Sequence, residues 1–416
     1  MSKFIRKDVF CRICNSEDIE TILKLRDTPL EDQFVDKFNK NKHQKVYPLE
    51  LAICCNCGYV HLPHVINPEE SYIEYIYKSG VTAGLRSHYD AYAKEIVDKY
   101  KIKKNSLIVD LGSNDGSMLA SFQKQKMNVL GVEPAKSIAE YANQSGVKTI
   151  NDFFTEDVAA QIISNYGNAD VITANYMFAN IDNISNFTES VVRLLSKDGL
   201  FVIETGYHIE QFKIKMFDYI YHEHFSYFTV GVLSFLFQKF GLEIIDVQIT
   251  KPKGGSVRVV SQRQNGSREI LPSVSKIVNN ENKSNIYDLE MYRDFDATLQ
   301  KLKLELTNLL HNIKSSGKSI IALGASHSTT TLIYHFELAN YFEYIVDDNK
   351  AKHNHYSPGL HIPVFETDKM YDEKPDYVLI LAWQHSDVIC ERHSKFVKNG
   401  GIFIVPLPSV SLIGED

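Results

Sequence analysis

Hydrophobic and polar residues follow two alternating periods over residues 83–250. Short apolar runs typical of buried strands are separated by segments in which apolar residues recur every three or four positions, as in amphipathic helices. In chain order the clearest segments are HYDAYAKEIVDKY (helix), SLIVDLG (strand), MLASFQKQ (helix), NVLGVEP (strand), ADVITAN (strand) and GLFVIET (strand). Alternation of strands and helices predicts a parallel sheet that is covered on both faces.

A second α/β pattern follows a long predicted helix. The segment MYRDFDATLQKLKLELTNLLHNIKSS has a helical period and ends near Gly317. Four strand-like runs come after it: SIIALGAS, YFEYIVDD, DYVLILAW and GIFIVPLP. Residues 1–80 show no long helical period. We therefore predict an α/β protein with a small module at 1–80, an α/β domain at 81–265, connecting helices at 266–317 and a second α/β domain at 318–416.

The charge and hydropathy of the chain limit its partners. Of the 416 residues, 45 are Lys or Arg and 52 are Asp or Glu, so the net charge is -7 at pH 7. This charge gives no sign of the broad basic surface that binds nucleic acid, and we expect no nucleic acid partner.

No apolar run reaches the roughly 18 residues that cross a bilayer, and MSKFIRKDVF lacks the apolar core of a signal peptide. We expect a cytoplasmic protein without a membrane partner, as a monomer or weak dimer.

Five of the six cysteines lie within the first 57 residues. Cys11 and Cys14 form one C-x-x-C pair and Cys54 and Cys57 a second, and two such pairs can hold a tetrahedral metal ion. In a reducing compartment this clustering favours metal over disulfides. We predict a zinc site whose role is structural, because four thiolates leave no open coordination position. Two alternatives stay open: Cys55 could replace a neighbour as ligand, or the four thiols could be buried core groups.

A glycine-rich turn between a predicted strand and a predicted helix marks a candidate cofactor site. Open α/β sheets bind ligands at this position. Acidic and amide groups there can receive the ammonium and hydroxyl groups of an amino-acid-bearing nucleoside. At the end of the next strand, Glu133 occupies the position from which a carboxylate binds ribose hydroxyls. The candidate residues of the turn are Asp110, Gly112, Asn114, Asp115 and Gly116.

Three further residues extend the predicted crevice. Asp152 and Phe153 follow the third strand and could frame an adenine, and Asn175 ends the strand ADVITAN. A glycine-rich turn of this kind also occurs in NAD-dependent enzymes and in purely structural turns. The pairing of the turn with Glu133 favours a cofactor site.

The run DYIYHEHFSYF is unusually rich in titratable and aromatic side chains. A histidine beside a glutamate can be held in one tautomer and stay basic, as abstraction of a carbon-bound proton requires. A neighbouring tyrosine can donate a hydrogen bond to the resulting enolate oxygen. The alternatives are a metal pair, for which no third ligand stands at a suggestive spacing, and histidines that are simply part of the core. The residues concerned are Tyr219, Tyr221, His222, Glu223, His224 and Tyr227.

Together these motifs resemble the nucleotide-sugar C-methyltransferase family, whose members methylate a carbon of a keto-sugar carried on a nucleoside diphosphate. The resemblance extends over nearly the whole chain. It rests on CRIC, TPL, YPLEL, CCNCGYVHLP, EYIYKSG, VDLGSNDGSML, GVEP, YIYHEHFSYF, GGSVRVV, LGAS, VDDNKAKHNHYSPGLHIPV, LAW and GGIFIVPLP. It implies a zinc-binding domain, a class I (Rossmann-like) methyltransferase domain that binds S-adenosylmethionine, and a Rossmann-like carboxyl-terminal domain.

The resemblance also implies roles for single residues. His224 would be the general base on the carbon next to the ketone, and Tyr221 and Glu223 would place or stabilise the enolate. A tyrosine after the zinc domain would line the sugar pocket, which corresponds in this chain to Tyr75 or Tyr77. The small-molecule partner would be a nucleotide-linked ketosugar.

The chain departs from the family pattern at two positions expected near the sugar. Asn180 and Lys253 stand where the family usually has a histidine. We expect both residues, together with His222, to contact the substrate. Because both positions are expected near the sugar, these two differences bear on which acceptor is methylated more than on the reaction with the cofactor.

Three other functions fit parts of the pattern. O- or N-methylation of a related sugar needs no enolate and is compatible with Asn180. A nicotinamide oxidoreductase would use Gly324 after the strand in SIIALGAS, although the full G-x-G-x-x-G motif is missing. A zinc-dependent binding protein could keep the fold without catalysing a reaction.

Overall fold

The computed structural model describes residues 4–67 and 84–414. Tyr75 and Tyr77, both predicted to bind substrate, lie outside the described residues. Over the described part of the chain, none of the helices combines the length and the apolar character needed to span a bilayer.

The strands of the described residues belong to four sheets. In chain order they are β1 (Ile5–Lys7), β2 (Ile19–Lys24), β3 (Glu50–Cys54), β4 (Val60–His61), β5 (His64–Ile66), β6 (Leu107–Leu111), β7 (Asn128–Val132), β8 (Thr149–Ile150), β9 (Ala169–Asn175), β10 (Leu195–Gly206), β11 (Ser226–Tyr227), β12 (Leu242–Thr250), β13 (Ser256–Arg263), β14 (Ile320–Leu323), β15 (Ile345–Asp347), β16 (Val364–Glu366), β17 (Tyr377–Ile380), β18 (Ile402–Val405) and β19 (Ser411–Ile413).

The α-helices alternate with many of these strands. In chain order they are α1 (Leu85–Lys99), α2 (Ser117–Lys124), α3 (Lys136–Gln144), α4 (Glu156–Tyr166), α5 (Ile184–Leu194), α6 (His208–Lys213), α7 (Val230–Lys239), α8 (Pro272–Lys283), α9 (Leu289–Ser315), α10 (His327–Phe336), α11 (Asp368–Glu373), α12 (Ser386–Arg392) and α13 (Ser394–Lys398).

The chain folds into two compact units, and each is assembled from separate stretches of sequence. The first unit comprises Met1–Glu20, Ile53–Glu210 and Phe225–Tyr287, and the second comprises Thr21–Ala52, Gln211–His224 and Asp288–Asp416. The predicted boundaries near residues 80, 265 and 317 follow the order of the sequence, whereas these units are discontinuous. Each unit therefore joins residues that are far apart along the chain.

A seven-stranded sheet forms the centre of the first unit, with strand order β12-β13-β10-β9-β6-β7-β8. The strands β6 to β10 run parallel, as the alternation of strands and helices predicts. Strand β13, which lies beyond the segment 83–250 for which the parallel sheet was predicted, is antiparallel to both β10 and β12. Only the short turn 251–255 joins β12 to β13, and a parallel pair would need a much longer crossover.

Helices α1 and α2 pack on this sheet through regularly spaced apolar side chains. In α1, Leu85, Tyr89, Tyr92 and Ile96 recur at helical spacing and are all buried. They share one hydrophobic core with Phe122 of α2 and with apolar side chains of β6, β9 and β10. This packing fixes the position of the carboxyl edge of the sheet. The glycine-rich turn lies at that edge.

The second unit contains a six-stranded sheet with order β16-β15-β14-β17-β18-β19. The first five strands of that order are parallel and β19 is antiparallel. Two strands lie on each side of β14 before the antiparallel edge, the arrangement of doubly wound α/β folds. The long helix α9 is capped by the Asp288 carboxylate and ends just before Gly317, close to the predicted position. A second α/β domain at the carboxyl terminus is thus confirmed.

Two short strand pairs complete the first unit. Strand β1 pairs with β5, with Arg6 opposite Val65. Strand β4 pairs with β11, with Ser226 opposite His61. The second pair joins the segment after the fourth predicted zinc ligand to the segment that directly follows His224 in the sequence.

Candidate active site

The four cysteines of the two C-x-x-C pairs come together in the first unit. Their sulfur atoms all lie within 4.8 Å of one another, with Sγ of Cys11 3.6 Å from that of Cys57 and Sγ of Cys14 3.5 Å from that of Cys54. A tetrahedral zinc with Zn–S bonds of about 2.3 Å separates its sulfurs by about 3.8 Å, so the cluster has the size that zinc requires. Cys55 is exposed and stands outside the cluster.

Local backbone geometry prepares the cysteine cluster. The amide of Cys14 donates to Sγ of Cys11 at 3.5 Å, and the amide of Gly58 donates to the carbonyl oxygen of Cys54 at 2.8 Å. Gly58 has φ +74°, and a Cβ at this position would lie 2.6 Å from the ring of Tyr287. Only glycine fits both the left-handed turn and the close ring.

The glycine-rich turn lies at the carboxyl end of β6. Gly112 has φ +66°, and a Cβ there would lie 2.8 Å from Cγ of Met177, so the turn after β6 packs closely against the turn after β9. Gly116 has φ +77° and caps the amino terminus of α2. Asp115 accepts a hydrogen bond from the Ser117 amide at 3.1 Å, which fixes the start of that helix. The predicted cofactor turn therefore opens towards the carboxyl edge of the sheet.

Asp110 is the acidic group of the turn that lies deepest in the sheet. It is 4% exposed, and its Oδ1 accepts a hydrogen bond from the Thr173 hydroxyl at 2.6 Å. Burial, together with the negative charge of Glu133, raises the pKa of Asp110 to about 7. Its charge therefore changes near neutral pH.

Glu133 connects two turns of the crevice. One carboxylate oxygen accepts from the amide of Asn114 and the other from the amide of Ala135, both at 2.9 Å. Burial raises the pKa of Glu133, while the two amide hydrogen bonds partly oppose this effect. Each oxygen has a second lone pair for a ligand hydroxyl.

The remaining predicted cofactor residues occupy the rim and the floor of the same sheet edge. Phe153 is 38% exposed, and its amide donates to Oδ1 of Asp152 at 2.8 Å. Asn175 ends β9, and its side-chain amide interacts with the hydroxyl of Tyr92, a side chain that is 1% exposed. An amide group can form more hydrogen bonds than this contact supplies, so Asn175 can also bind a polar ligand.

The predicted catalytic residues Tyr221, Glu223 and His224 lie in the second unit. Nδ1 of His224 is 3.2 Å from the carbonyl oxygen of Tyr219, and Nε2 is 2.8 Å from the hydroxyl of Tyr221. A carbonyl oxygen only accepts, so Nδ1 carries the proton and Nε2 of the neutral ring is the acceptor. The rings of Tyr221 and His224 are stacked with centroids 4.1 Å apart. The local fold thus selects one tautomer of His224.

Acidic side chains surround the same segment. Burial, and the negative charges of Glu31 and Asp32, raise the pKa of Glu223 well above its usual value. A raised pKa favours the neutral carboxylic acid, which is the form that can donate a hydrogen bond. His222, predicted to contact substrate, is 1% exposed, and its Nδ1 is 2.8 Å from Oε1 of Glu31.

Asn180 and Lys253, both predicted to contact the substrate, lie in the first unit. Asn180 ends a short 3₁₀ turn after β9. Lys253 has φ +58° in the turn between β12 and β13, and its ammonium nitrogen is 5.5 Å from the centroid of the Tyr176 ring. Because β13 is antiparallel, this turn lies at the same edge of the sheet as the carboxyl end of β10.

The structure adds a buried ionic network at this edge that sequence reasoning missed. Glu204 of β10 is 1% exposed and accepts from Nε2 of His88 at 2.5 Å, from the Tyr176 hydroxyl at 2.6 Å and from Nε of Arg258 at 2.7 Å. Arg258 also lies over the ring of Tyr92, 3.9 Å from its centroid. The available signal was the acid near the end of the apolar run GLFVIET, because a charged group in a buried strand needs partners.

Comparisons with known proteins follow the same division of the chain. Residues 11–72 match a zinc binding domain, residues 85–247 match a methyltransferase domain, and residues 251–408 match a C-methyltransferase C-terminal domain. The C-methyltransferase NovU of Streptomyces niveus is 30% identical over 417 residues, which span 100% of this chain and 99% of that protein. These matches confirm the predicted class I methyltransferase fold, the zinc module and the carboxyl-terminal domain.

Solved structures also match, with low sequence identity. A magnesium protoporphyrin IX methyltransferase from Synechocystis PCC 6803 is 14% identical with a TM-score of 0.35, and the match covers 48% of this chain and 89% of that one. An S-adenosylmethionine-dependent methyltransferase from Clostridium acetobutylicum is 12% identical with a TM-score of 0.34, and the match covers 43% and 92% of the two chains.

Proposed function

Because the chain belongs to the C-methyltransferase family, we propose that it methylates the carbon next to the ketone of a nucleotide-linked sugar, with S-adenosylmethionine as methyl donor. The observation that carries the proposal is the tautomer of His224. Its Nδ1–H is committed to the Tyr219 carbonyl, so Nε2 carries the lone pair, which accepts from the Tyr221 hydroxyl. A neutral imidazole with such a lone pair is a suitable base for a carbon acid.

Tyr221 supports both stages of the proton transfer. While His224 is neutral, the Tyr221 hydroxyl donates to Nε2. For Nε2 to take the proton from carbon, the Tyr221 hydroxyl first turns away from the single lone pair of Nε2, and it can then donate to the oxygen that becomes the enolate oxygen. Burial raises the pKa of Glu223 and so favours its neutral form, which would offer a second donor. These two donors stabilise negative charge that is absent from the ketone itself.

The crevice of the first unit suits the proposed donor. S-adenosylmethionine would supply an electrophilic methyl group. The Asp110 carboxylate and the side-chain amide of Asn175 would hold its amino-acid end, and Glu133 would hold its ribose hydroxyls. The net change breaks one C–H bond and one S–CH₃ bond and forms one C–C bond, and the proton leaves through His224. The nucleotide-sugar class rests on the motif resemblance over nearly the whole chain.

The first experiment follows label from S-adenosylmethionine into a panel of nucleotide-linked 4-ketosugars. We expect a new carbon-bound methyl in the carbon NMR spectrum of the product, and its formation should fall by about 10²-fold or more in His224→Ala. The matched control is Tyr219→Phe, which keeps the carbonyl that orients His224 and should retain activity. Cofactor binding without carbon methylation of any sugar would contradict the proposal.

The second candidate function is O- or N-methylation of a related sugar, favoured by Asn180 and Lys253 at expected sugar contacts. It requires no enolate. Incubation of the ketosugar with the protein in D₂O, without methyl donor, separates the two reactions, because only carbon methylation predicts deuterium at the carbon next to the ketone. Methyl transfer without such exchange, and with full activity in His224→Ala, would favour the O- or N-acceptor.

A further inference from the structure

Arg12 lies between the predicted zinc ligands Cys11 and Cys14. Its side chain contacts residues that are distant in the sequence. One terminal nitrogen donates to the carbonyl oxygen of Phe225 at 2.7 Å and to that of Leu62 at 3.3 Å. Only 8% of the side chain is exposed. Phe225 directly follows His224 in the sequence. A residue of the metal-binding turn thus holds the main chain one residue from the proposed base.

Other contacts reinforce this connection within the first unit. The amide of Leu62 donates to the same Phe225 carbonyl at 3.0 Å. The hydroxyls of Tyr59 and Ser226 are 2.5 Å apart, and β4 pairs with β11. The guanidinium carbon of Arg12 lies 5.6 Å from the centroid of the Phe225 ring, where a cation gains from the aromatic face. The segment after the fourth zinc ligand and the segment after His224 therefore form one assembly around Arg12.

The metal-binding turn is also fixed from its other side. The carbonyl oxygen of Arg12 accepts from the Ser185 hydroxyl at 3.2 Å, and that of Ile13 accepts from the Lys239 ammonium at 2.8 Å. Lys239 donates its hydrogen bond to the carbonyl oxygen of Ile13 in the turn, whereas Arg12 donates to the carbonyl oxygen of Phe225. It therefore offers a matched comparison for Arg12, since both cations hold the turn and Arg12 also holds the Phe225 main chain.

We propose that the zinc module positions the catalytic segment through Arg12. The metal fixes the C-x-x-C turn, the turn fixes the Arg12 side chain, and Arg12 fixes the main chain at Phe225. Arg12 is a positioning residue, because it contacts neither substrate nor cofactor in this scheme. The proposal rests on the assignment of His224 as the base. It gives the zinc a role in the reaction rate although four thiolates leave the ion no open position.

The test compares Arg12→Met with Lys239→Met in the full-length zinc-loaded protein. We expect Arg12→Met to keep one zinc per chain and its S-adenosylmethionine affinity, while kcat falls by about 10-fold to 100-fold, the size expected for a small misplacement of a reacting group. Hydrogen–deuterium exchange in peptides containing Leu62 should become faster by about 10-fold, because its amide loses a fixed acceptor. Lys239→Met should leave kcat and exchange at Leu62 unchanged. Removing zinc with a chelator should reproduce the faster exchange.

Normal exchange at Leu62 in Arg12→Met, or faster exchange with normal kcat, would overturn the proposal. If Arg12→Met loses its zinc, Arg12→Lys decides instead: faster exchange and reduced kcat with zinc retained support the proposal, and unchanged values overturn it. Failure of the proposed function has a different signature, namely full carbon methylation in His224→Ala. In that case the exchange measurements still show whether Arg12 connects the zinc turn to β11.

Discussion

The hydroxyl oxygen of Tyr221 lies 2.8 Å from Nε2 of His224. Because Nδ1 is held as a donor by the Tyr219 carbonyl, the Tyr221 hydroxyl is the donor to the neutral ring and the acceptor from the protonated ring. Because Nε2 has one lone pair, the hydroxyl turns away before Nε2 takes a proton from carbon. A hydroxyl released from Nε2 can donate to the oxygen of the developing enolate, so the same movement serves both the base and the enolate.

Removing the Tyr221 hydroxyl should slow methyl transfer without weakening the binding of S-adenosylmethionine. We expect Tyr221→Phe to reduce kcat by about 10-fold to 100-fold, because the enolate loses a hydrogen-bond donor that acts mainly in the transition state. Steady-state kinetics with separate kcat and KM values provide the measurement. Tyr219→Phe serves as the control. An equal loss in both variants would show that the effect comes from packing rather than from the hydroxyl.

Ionisation of the Asp110 carboxyl near neutral pH should lower the stability of the fold. Its pKa of about 7 in the folded protein lies above its usual value because of burial. Ionisation of this carboxyl therefore costs stability progressively as the pH rises from about 4 to about 7, and the cost is absent below that window. We expect Asp110→Asn, which keeps an acceptor for Thr173, to be more stable than the parent at pH 8 by roughly 2 to 4 kcal/mol. Urea unfolding at pH 4 and pH 8 measures the difference.

The same substitution should weaken the binding of S-adenosylmethionine. The charged carboxylate is the form that binds an ammonium group, so the parent should bind more tightly at pH 7.5 than at pH 6, whereas Asp110→Asn should bind weakly at both. Isothermal titration calorimetry measures both affinities. Tight, pH-independent binding by the variant would exclude Asp110 as an ammonium partner.

Zinc binding should depend on Cys57 but not on the nearby Cys55. We expect Cys57→Ser to lose zinc and several kcal/mol of unfolding free energy, because a structural zinc site contributes directly to folding. Cys55→Ser should keep the full zinc content, because this exposed residue lies outside the sulfur cluster. Atomic absorption and thermal unfolding check both variants. Zinc loss in Cys55→Ser would mean that the ligand set differs from the four clustered sulfurs.

Glu204 should be essential for the stability of the first unit. Burial would raise its pKa, but the hydrogen bond from His88 and the charge of Arg258 hold it below the usual value. The carboxylate therefore stabilises the fold above the pH of ordinary glutamate ionisation, and this contribution disappears as the pH falls through the lowered pKa. We expect Glu204→Gln to cost about 3 to 5 kcal/mol at neutral pH, because the buried Arg258 loses the charge of its buried partner.

Glu95 provides the comparison for Glu204. It is 3.0 Å from the other side of the Arg258 guanidinium, but it is 38% exposed. Glu95→Gln should therefore cost less than about 1 kcal/mol. Chemical unfolding of both variants measures the two values, and similar losses would show that burial does not set the strength of this network.

The sequence predicted those elements whose periodicity is local. The run SLIVDLG contains β6, and MYRDFDATLQKLKLELTNLLHNIKSS contains most of α9, because apolar spacing within one element determines which face it buries. The antiparallel placement of β13 was missed, since alternation in SVRVV indicates a strand but not its partner. Register and direction depend on residues far away in the sequence.

For the candidate site, too, the sequence predicted only those residues whose local pattern is restricted. The four cysteines were predicted because metal chemistry restricts their spacing, and the glycine-rich turn was predicted because its conformation restricts its residues. Glu204 and Arg12 were missed because each looks ordinary in its own segment, one within a strand and one as a spacer between ligands. Their importance arises only from partners at Arg258 and Phe225 that folding brings to them.

The pairing of His222 with Glu31 has a practical consequence for dissecting this enzyme. A fragment cut at the predicted domain boundaries, residues 81–265, would contain the histidine and lack the carboxylate that binds both its ring and its amide. Such a fragment would carry every recognisable cofactor motif, yet the loop bearing His224 would have lost its support. Attempts to transplant the catalytic domain into another methyltransferase should therefore carry residues 21–52 with it.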